Sequence, residues 1–402
     1  MKKKYYAIVG CWGYDQEEAM GITTYEYDME SGELNLIETI RPDIVSGSVI
    51  VDPVRKVVFI SDEIGHVKGD LGGGGYVRSF RIDPDTGKLT LLSEQRTLST
   101  EPCYMCLDST GNYLLIAHCA DPFHVTKIRQ LSDGSYTSET VYDDTALVMV
   151  KIKEDGSLGD ICDVAVTEGC GATGPDSKIF IHPVSGHTMM LQVISRQRCV
   201  ARNECGSLYA VTDRGMDKVY SFKVDRDDEK LTRVNEMEVE IGTSPRFLTF
   251  HPTMPYVFMN YEQIPYVDSY RYDSESGKLE RISHVKAVFE MDHVRSGCSA
   301  LLLHPNGKIL YNTCYPEMIS VFSIMENGSL ALKQTIKCGG ESPHALCISP
   351  DGRFLFSGNN HTHTITSFRI DEEGLLTSTE RVYEAILPAT MSIFTLEGED
   401  QK

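Results

Sequence analysis

Short apolar runs separated by glycine, proline and polar residues recur along the chain. A representative unit joins Gly242–Pro252 to Tyr256–Glu262, so that a turn, a strand, a proline-containing turn and a second strand follow one another. β-Branched and aromatic residues fill these runs and turn-forming residues bound them, which is typical of strands. Related pairs lie at Glu101–Asp108 with Tyr113–His118, Ser299–Pro305 with Ile309–Asn312, and Ser342–Pro350 with Phe354–Ser357.

The spacing of these pairs predicts a β-propeller. A period of roughly 40–50 residues built from four short strands is typical of propeller blades, which bury their faces against neighbouring blades. The second strands of the pairs begin near seven positions: Tyr6, Val58, Leu114, Leu208, Val257, Leu310 and Leu355. We therefore predict an all-β fold, a single seven-bladed propeller domain over residues 1–402.

Two features of the chain complicate the simple repeat. The interval from Leu114 to Leu208 is about twice the others, which predicts insertions at about 122–144 and 169–195, although an eighth blade is the alternative. The first blade has three predicted strands. The fourth is predicted at Ala389–Leu396, where a C-terminal strand would pair with the N-terminal blade and close the ring.

Composition narrows the possible partners. The formal net charge is −20 and the isoelectric point is near 5.0, which disfavours binding to nucleic acid or to anionic membranes. The start of the chain is basic but lacks an apolar run typical of a secretion signal, so we expect a cytoplasmic location. No segment has the ~18 apolar residues of a membrane span. The sequence does not indicate an oligomeric state.

Cysteine and histidine patterns do not predict a metal or another cofactor. The twelve cysteines are irregularly spaced, so reduced thiols are expected. Cys103 and Cys106 have a C-x-x-C spacing, but in a predicted strand they point to opposite faces. His361 and His363 share a face without an evident third ligand, and the Gly-rich segment 69–75 precedes a strand rather than a helix.

Five motifs together resemble the seven-bladed lactonase family, which includes propeller-type 6-phosphogluconolactonases and, more distantly, fungal carboxymuconate-cyclising enzymes. These motifs are Val57–Glu63, Glu101–Cys103, Asp213–Asp217, Gly242–Arg246 and Asn260–Glu262. The resemblance spans nearly the whole chain. It implies that Arg246 and Glu262 converge near the central channel.

The chemistry of these residues fits an anionic substrate. A guanidinium can hold a carboxylate, a phosphate or a developing oxyanion, and a carboxylate or an imidazole can activate water. The predicted catalytic residues are therefore Glu262, Arg246 and His344. The predicted substrate-binding residues are Arg196, Arg198, Glu63, Tyr104, His118, Asp213, Tyr315 and Asn360. For His118 a purely structural role is the alternative.

The chain departs from the family pattern at several positions. Ser195–Arg198 replaces the family's Pro-His-x-His, Phe247 replaces the histidine after Gly-Pro-Arg, and Tyr104 replaces the histidine after Pro-Cys. The family's Ser-Asn-Arg becomes Thr313–Tyr315. Arg196 and Arg198 would restore positive charge near the lost histidines.

These observations predict cofactor-free hydrolysis of a small anionic lactone, of sugar origin, in the central channel. Two alternatives stay open. The same groups could serve a lactonising cycloisomerase of the muconate type. The fold could also bind a metabolite or a protein without catalysis, since propellers host many functions.

Overall fold

Seven four-stranded antiparallel sheets follow one another along the chain. The computed structural model describes residues 3–12, 21–41, 43–66, 73–120, 124–167, 179–181, 188–190, 194–289 and 297–396. Within these residues no helix is long and apolar enough to cross a membrane. Each sheet is one blade, so the predicted seven-bladed propeller is confirmed.

The strands of the first half of the chain build blades 1 to 3. Blade 1 contains β1 (Tyr5–Cys11), β2 (Ile22–Tyr27) and β3 (Leu34–Ile40); blade 2 contains β4 (Ser46–Asp52), β5 (Val57–Asp62), β6 (Tyr76–Ile82) and β7 (Leu89–Arg96); the next strands are β8 (Pro102–Leu107), β9 (Tyr113–His118), β10 (His124–Gln130), β11 (Tyr136–Tyr142), β12 (Thr145–Ile152) and β13 (Leu158–Thr167). Blade 3 has the order β13-β12-β9-β8, and β10 pairs with β11 as a separate hairpin.

The strands of the second half build blades 4 to 7. They are β14 (Ile179–Ile181), β15 (Thr188–Met190), β16 (Gln197–Arg202), β17 (Tyr209–Asp213), β18 (Lys218–Asp225), β19 (Lys230–Glu238), β20 (Pro245–Phe250), β21 (Tyr256–Tyr261), β22 (Tyr266–Tyr272), β23 (Leu279–Lys286), β24 (Cys298–Leu303), β25 (Ile309–Cys314), β26 (Met318–Ile324), β27 (Leu330–Lys337), β28 (Pro343–Ile348), β29 (Phe354–Asn359), β30 (Thr364–Ile370), β31 (Leu376–Glu384) and β32 (Pro388–Thr395). Each group of four from β16 to β31 is one blade, and β14 pairs with β15.

The two short hairpins lie in the doubled interval of the sequence. The β10–β11 hairpin falls between β9 and β12, at the position of the first predicted insertion. Most of the second predicted insertion, 169–195, lies outside the described residues. The division into one domain with two insertions stays a prediction.

The C-terminal strand closes the ring. β32 pairs with β1 from Tyr5 opposite Thr395 to Cys11 opposite Pro388, which completes blade 1. The innermost strands β32, β4, β8, β16, β20, β24 and β28 contact one another in that order around the channel, and β28 contacts β32 again. The predicted closure by the C-terminal strand is confirmed.

Burial explains why the sequence patterns differ between strands. The second strand of a blade lies between other strands and between neighbouring blades, so β5, β9, β21 and β29 are buried along their whole length. The outermost strand has one face toward solvent. In β31, accordingly, only Leu376 is buried, and the residues that follow it are exposed or half-buried.

Tyrosines link neighbouring blades through the hairpin turns. The hydroxyl of Tyr6 in blade 1 donates to the Pro84 carbonyl at 2.9 Å, and Tyr256 and Tyr311 make equivalent bonds to blades 6 and 7. The turn that receives Tyr6 needs a glycine. Gly87 has φ +71°, and a Cβ there would lie 2.5 Å from the Tyr6 ring.

Deleting residues 388–402 should lower the melting temperature strongly. The deletion removes β32, so β1 loses its inner neighbour and its backbone groups lose partners at about 1–3 kcal/mol for each group left buried. Thermal unfolding followed by circular dichroism measures the effect. Deleting only 397–402 leaves β32 intact and is the matched control. A 388–402 deletion that melts with the full-length chain would contradict the role of β32.

Candidate active site in the channel

One register rule places the candidate residues. In every blade, the residue that directly follows the second strand from the channel donates its backbone N–H to the carbonyl of the residue that directly precedes the innermost strand. These bonds are 2.7–3.0 Å long, and Glu63, Glu262 and Tyr315 are three of the donors. Two equivalent positions therefore recur in each blade: this residue and the second residue of the innermost strand. We call them the mouth ring and the throat ring.

The two rings contain charged, aromatic and sulfur-containing side chains. The mouth ring, from blade 1 to blade 7, is Trp12, Glu63, Cys119, Arg214, Glu262, Tyr315 and Asn360. The throat ring, in the same order, is Ala389, Gly47, Cys103, Arg198, Arg246, Ser299 and His344. Contacts between non-adjacent blades show that ring side chains meet across the channel.

Glu63 and Arg198 form one of these contacts, between blades 2 and 4. Arg198 Nη1 donates to Glu63 Oε1 at 2.9 Å, and the exposed fractions of the two side chains are 5% and 6%. Trp12 Nε1 donates to the other carboxylate oxygen of Glu63 at 2.9 Å. The absence of a side chain at Gly47 makes room, because a Cβ there would lie 2.5 Å from Glu63 Oε2.

Glu262 lies between two arginines. Arg214 Nη1 donates to both of its carboxylate oxygens, at 2.8 and 2.7 Å, and Arg246 Nη1 donates to Oε2 at 2.9 Å. The structure therefore brings together Arg246 and Glu262, as the family resemblance implied. Arg214, which the sequence analysis did not select, is the second partner.

His344 connects the two ion-paired groups. Its Nδ1 lies 3.1 Å from the Ala389 carbonyl, which fixes Nδ1 as the donor and leaves Nε2 as an acceptor. Arg246 Nη2 donates to Nε2 at 2.8 Å, and Arg198 Nη2 lies 3.4 Å from the same nitrogen. Burial and then the Arg246 and Arg198 charges lower the pKa of His344 well below its usual range. The imidazole is therefore neutral.

The two carboxylates have opposite pKa shifts. Burial raises the pKa of Glu63, and the single guanidinium of Arg198 offsets this only in part. Burial also acts to raise the pKa of Glu262, but the charges of Arg214 and Arg246 outweigh it and hold that pKa well below its usual range. Glu63 is thus the stronger base of the two.

Aromatic side chains pack against the arginines. The Arg246 guanidinium lies 5.5 Å from the Phe247 ring centroid and 5.9 Å from that of Tyr315, and Arg198 lies 5.9 Å from Phe247. Tyr104 meets Phe247 edge to face at 5.2 Å. Tyr104 and Phe247 therefore form an aromatic pair beside the guanidinium groups, and cation–π attraction to the Phe247 ring favours the charge of these groups.

Asp213 orients the loop that carries Arg214. Its buried carboxylate accepts the backbone N–H groups of Arg196, Gly215 and Met216 at 2.8–3.1 Å, together with the Ser195 hydroxyl. Arg196 points to blade 3, since its Nε donates to the Cys119 carbonyl at 3.2 Å. Its guanidinium lies 4.0 Å from Glu101. Arg196 therefore contacts Cys119 and Glu101 of blade 3 rather than the residues that contact Arg198 and Arg246.

Two further predicted residues differ in their surroundings. His118 is wholly buried in β9 and its Nδ1 donates to the Ala146 carbonyl at 2.8 Å, which accords with a structural role. Burial lowers the pKa of His118 to about 4. Asn360, in the mouth ring, is buried, and its Oδ1 has no hydrogen-bond partner in the described part of the chain.

Three arginine side chains supply the positive charge of the two rings. Among the described residues no group of three or more His, Cys, Asp or Glu side chains is placed to hold a metal ion. Arg198, Arg214 and Arg246 each have a buried Nε–H without a hydrogen-bond partner in the part of the chain that the structure describes. Unpaired buried donors are costly, so these groups are suited to an anionic ligand.

A model of one protein family matches residues 7–392, and that family is described as lactonases with a seven-bladed β-propeller. The chain is a member of this lactonase family. Family membership supports hydrolysis of a lactone as its reaction, and it implies a small-molecule substrate.

Named relatives of this lactonase-family protein cover nearly its whole length. The 6-phosphogluconolactonase of Bacillus subtilis is 25% identical over 394 residues, covering 97% of this chain and 96% of the relative. That of Formosa agariphila is 24% identical, covering 89% and 91%. The solved periplasmic gluconolactonase of Pseudomonas aeruginosa has a TM-score of 0.80 at 21% identity, covering 98% and 100%, which shows the shared fold. The cytoplasmic location stays a prediction.

The register rule separates the ring residues that the sequence analysis found from those that it missed. The resemblance supplied Arg246 and Glu262. Trp12, Arg214 and Cys119 were missed, although each directly follows the second strand of its blade in the structure and Trp12 is the only tryptophan of the sequence. Applying one position of the repeat to all seven blades would have found them.

The depressed pKa of His118 predicts a loss of stability in acid. The unfolded chain takes up a proton near the usual histidine pKa of about 6.5, whereas the folded chain does so only near pH 4, so stability falls between these values. Relative to His118→Asn, which cannot titrate, the wild-type free energy of unfolding should fall by about 2 kcal/mol from pH 7 to pH 5. Urea unfolding at both pH values measures it.

The exposed His361 supplies the control variant, His361→Asn. It should follow the wild-type pH dependence. Equal pH dependence of the wild type and His118→Asn would show that His118 does not stay neutral in the folded protein.

Proposed function

We propose that this protein hydrolyses a small anionic lactone derived from a sugar, within the channel. The observation that carries the proposal is the convergence of Arg198, Arg214 and Arg246, each with an unpaired buried N–H, in a chain whose net charge is −20. Three guanidiniums and the two carboxylates of Glu63 and Glu262 leave one positive charge in excess. The names of the two bacterial relatives favour a phosphorylated gluconolactone as the first substrate to test.

Arg246 and Arg198 would bind the substrate and polarise its carbonyl. Arg198 is held by the buried carboxylate of Glu63 and Arg246 by the half-buried carboxylate of Glu262, and both share the neutral His344 Nε2. Their guanidiniums are therefore oriented before a ligand arrives. A donor array that is fixed in advance stabilises a developing oxyanion without reorganisation. In this proposal His344 and Glu262 orient the arginines. The sequence analysis predicted instead that these two residues activate water.

Glu63 is the base in the proposed reaction. Its raised pKa makes it a better proton acceptor than Glu262, and it lies beside Arg198. Glu63 takes a proton from water as the water oxygen bonds to the lactone carbonyl carbon. When the tetrahedral intermediate collapses, the bond to the ring oxygen breaks and Glu63 returns the proton to that oxygen. The product is an open-chain hydroxy acid, and Glu63 is regenerated.

Replacing Arg246 with alanine should weaken the binding of an anionic ligand. The change removes donors to the ligand, and we expect a loss of roughly 1.5–3 kcal/mol in binding free energy, the scale of charge-assisted hydrogen bonds. Titration calorimetry with 6-phosphogluconate measures it. Arg233→Ala on the outer strand β19 is the control and should bind like the wild type. Unchanged affinity in Arg246→Ala would remove Arg246 from the site.

Replacing Glu63 with glutamine should separate catalysis from binding. Glutamine keeps the shape of the side chain but cannot take the proton, so turnover should fall by about 10²–10⁴-fold while 6-phosphogluconate still binds. Acid release from 6-phosphogluconolactone and gluconolactone, followed with a pH indicator, measures turnover. The exposed Glu373→Gln is the control. Ligand binding without turnover in the wild type would instead favour the non-catalytic alternative.

A further inference from the structure

Trp12 is the mouth-ring residue of blade 1, and the proposed reaction assigns it no step. Its backbone N–H donates to the Leu387 carbonyl at 2.9 Å, directly before β32. The pairing of β1 with β32 shifts by a bulge between Gly10 and Cys11, just before Trp12. A Cβ at Gly10 would lie 2.7 Å from the Thr390 side chain, so glycine allows the two strands to lie close together at the end that carries Trp12.

The indole of Trp12 meets side chains from three other blades. Its Nε1 donates to Glu63 Oε2 of blade 2 at 2.9 Å. Its ring meets the His344 ring of blade 7 edge to face, with the two centroids 4.2 Å apart. The Arg198 guanidinium of blade 4 lies 5.9 Å from the centroid of the Trp12 ring. One side chain thus lies beside the proposed base, a proposed anion-binding arginine and the imidazole that the arginines share.

The indole N–H acts on Glu63 in one direction. An indole nitrogen donates a hydrogen bond and accepts none. It therefore stabilises the ionised carboxylate of Glu63, the stronger acceptor, more than the protonated carboxyl group. The carboxylate is the form that takes a proton from water in the proposed reaction, so Trp12 favours the reactive form of the base.

The other surroundings of Glu63 act in opposite directions on its proton. Burial raises the pKa of Glu63, and the Cys119 sulfur of blade 3 acts in the same sense. The charge of Arg198 lowers that pKa, and the hydrogen bonds from Trp12 and Arg198 lower it further. Arg198 Nη1 holds Oε1 and Trp12 Nε1 holds Oε2, so each carboxylate oxygen has a donor from another blade.

Water gives Glu63 little compensation for a lost donor, because 6% of its side chain is exposed. A buried carboxylate that loses a hydrogen bond must either stay ionised at a cost or take up a proton more readily. The Trp12 N–H is therefore suited to keep Glu63 deprotonated at pH values where burial would otherwise protonate it.

We propose that Trp12 is a positioning residue for the base of the proposed hydrolysis: its indole N–H holds Glu63 Oε2 and keeps the carboxylate ionised and ready to take a proton from water. The role rests on the proposed function, because it acts through the residue that takes that proton. Trp12 itself exchanges no proton with the substrate.

Trp12→Phe tests the indole N–H separately from the ring. Phenylalanine keeps an aromatic ring beside His344 and Arg198 but donates nothing to Glu63. Without this donor the pKa of Glu63 rises further, so the ionised base is lost at a higher pH as the pH falls. We expect kcat/KM for 6-phosphogluconolactone to fall by about tenfold on the acid side of the pH profile, the scale of one hydrogen bond to a charged group. The loss should be much smaller on the high-pH plateau, where Glu63 is ionised in both proteins.

Tyr6→Phe is the matched control for this experiment. Tyr6 lies at the opposite end of β1, and the change also removes one donor, the hydroxyl that bonds to the Pro84 carbonyl. It should leave the pH profile of kcat/KM unchanged. Spontaneous opening of the lactone is subtracted at each pH. An equal loss at all pH values in Trp12→Phe, or no loss, would overturn the proposal.

The fluorescence of Trp12 supplies a readout that needs no turnover. Trp12 is the only tryptophan of the sequence, so tryptophan emission comes from this position alone. Indole emission responds to charge beside the ring nitrogen, and it should therefore change as Glu63 takes up a proton on acidification. Glu63→Gln, which cannot titrate there, should remove this change. Emission that titrates equally in both proteins would contradict the coupling of Trp12 to Glu63.

The two readouts separate failure of this inference from failure of the proposed function. Lactone hydrolysis by the wild type with an identical pH profile in Trp12→Phe would overturn the role of Trp12 and leave the proposed function in place. Absence of hydrolysis in the wild type, with emission that still titrates through Glu63, would contradict the proposed function and the catalytic role together and leave only the Trp12–Glu63 contact.

Discussion

Buried ion pairs across the channel are the constraint on which the candidate site depends. Placing a guanidinium and a carboxylate out of water costs several kcal/mol for each ion unless partners compensate. A ring of seven blades meets this requirement, because equivalent positions of different blades converge on one axis. Arg198 of blade 4 reaches Glu63 of blade 2, and Arg246 of blade 5 reaches His344 of blade 7. The repeat of the fold thus produces a cluster in which every charged group has an oppositely charged partner.

Ring closure and the tautomer of His344 are linked through one backbone carbonyl. β32, the strand that completes blade 1, contributes the Ala389 carbonyl to which His344 Nδ1 donates. That bond leaves Nε2 as an acceptor for Arg246 and Arg198. The C-terminal strand therefore does more than satisfy the backbone of β1. It also determines which nitrogen of the only imidazole in the two rings faces the guanidiniums.

The sequence predicted the fold more completely than the site, for physical reasons. Strand patterns and turn residues are local, and the three-strand start of the chain already required a fourth strand from elsewhere, which β32 supplies. Site geometry depends on register across blades. Arg196 and Arg198 are two residues apart, yet Arg198 enters the throat ring and Arg196 turns to Glu101 and Cys119. Likewise, no local pattern distinguishes the environments that raise the pKa of Glu63 and lower that of Glu262.

The division between scaffold and rings also explains how a family can keep its fold at about 25% identity. Buried strands such as β5 and β29 can exchange apolar residues of similar volume while the blades stay in place. Ring side chains such as those of Glu63, Arg198 and His344 have less freedom, since each of them meets a partner from another blade. A substitution at Tyr104 or Phe247, beside Arg198 and Arg246, would therefore change the chemistry of the channel without changing the propeller. In the proposed function, substrate choice would consequently depend on the two rings rather than on overall similarity.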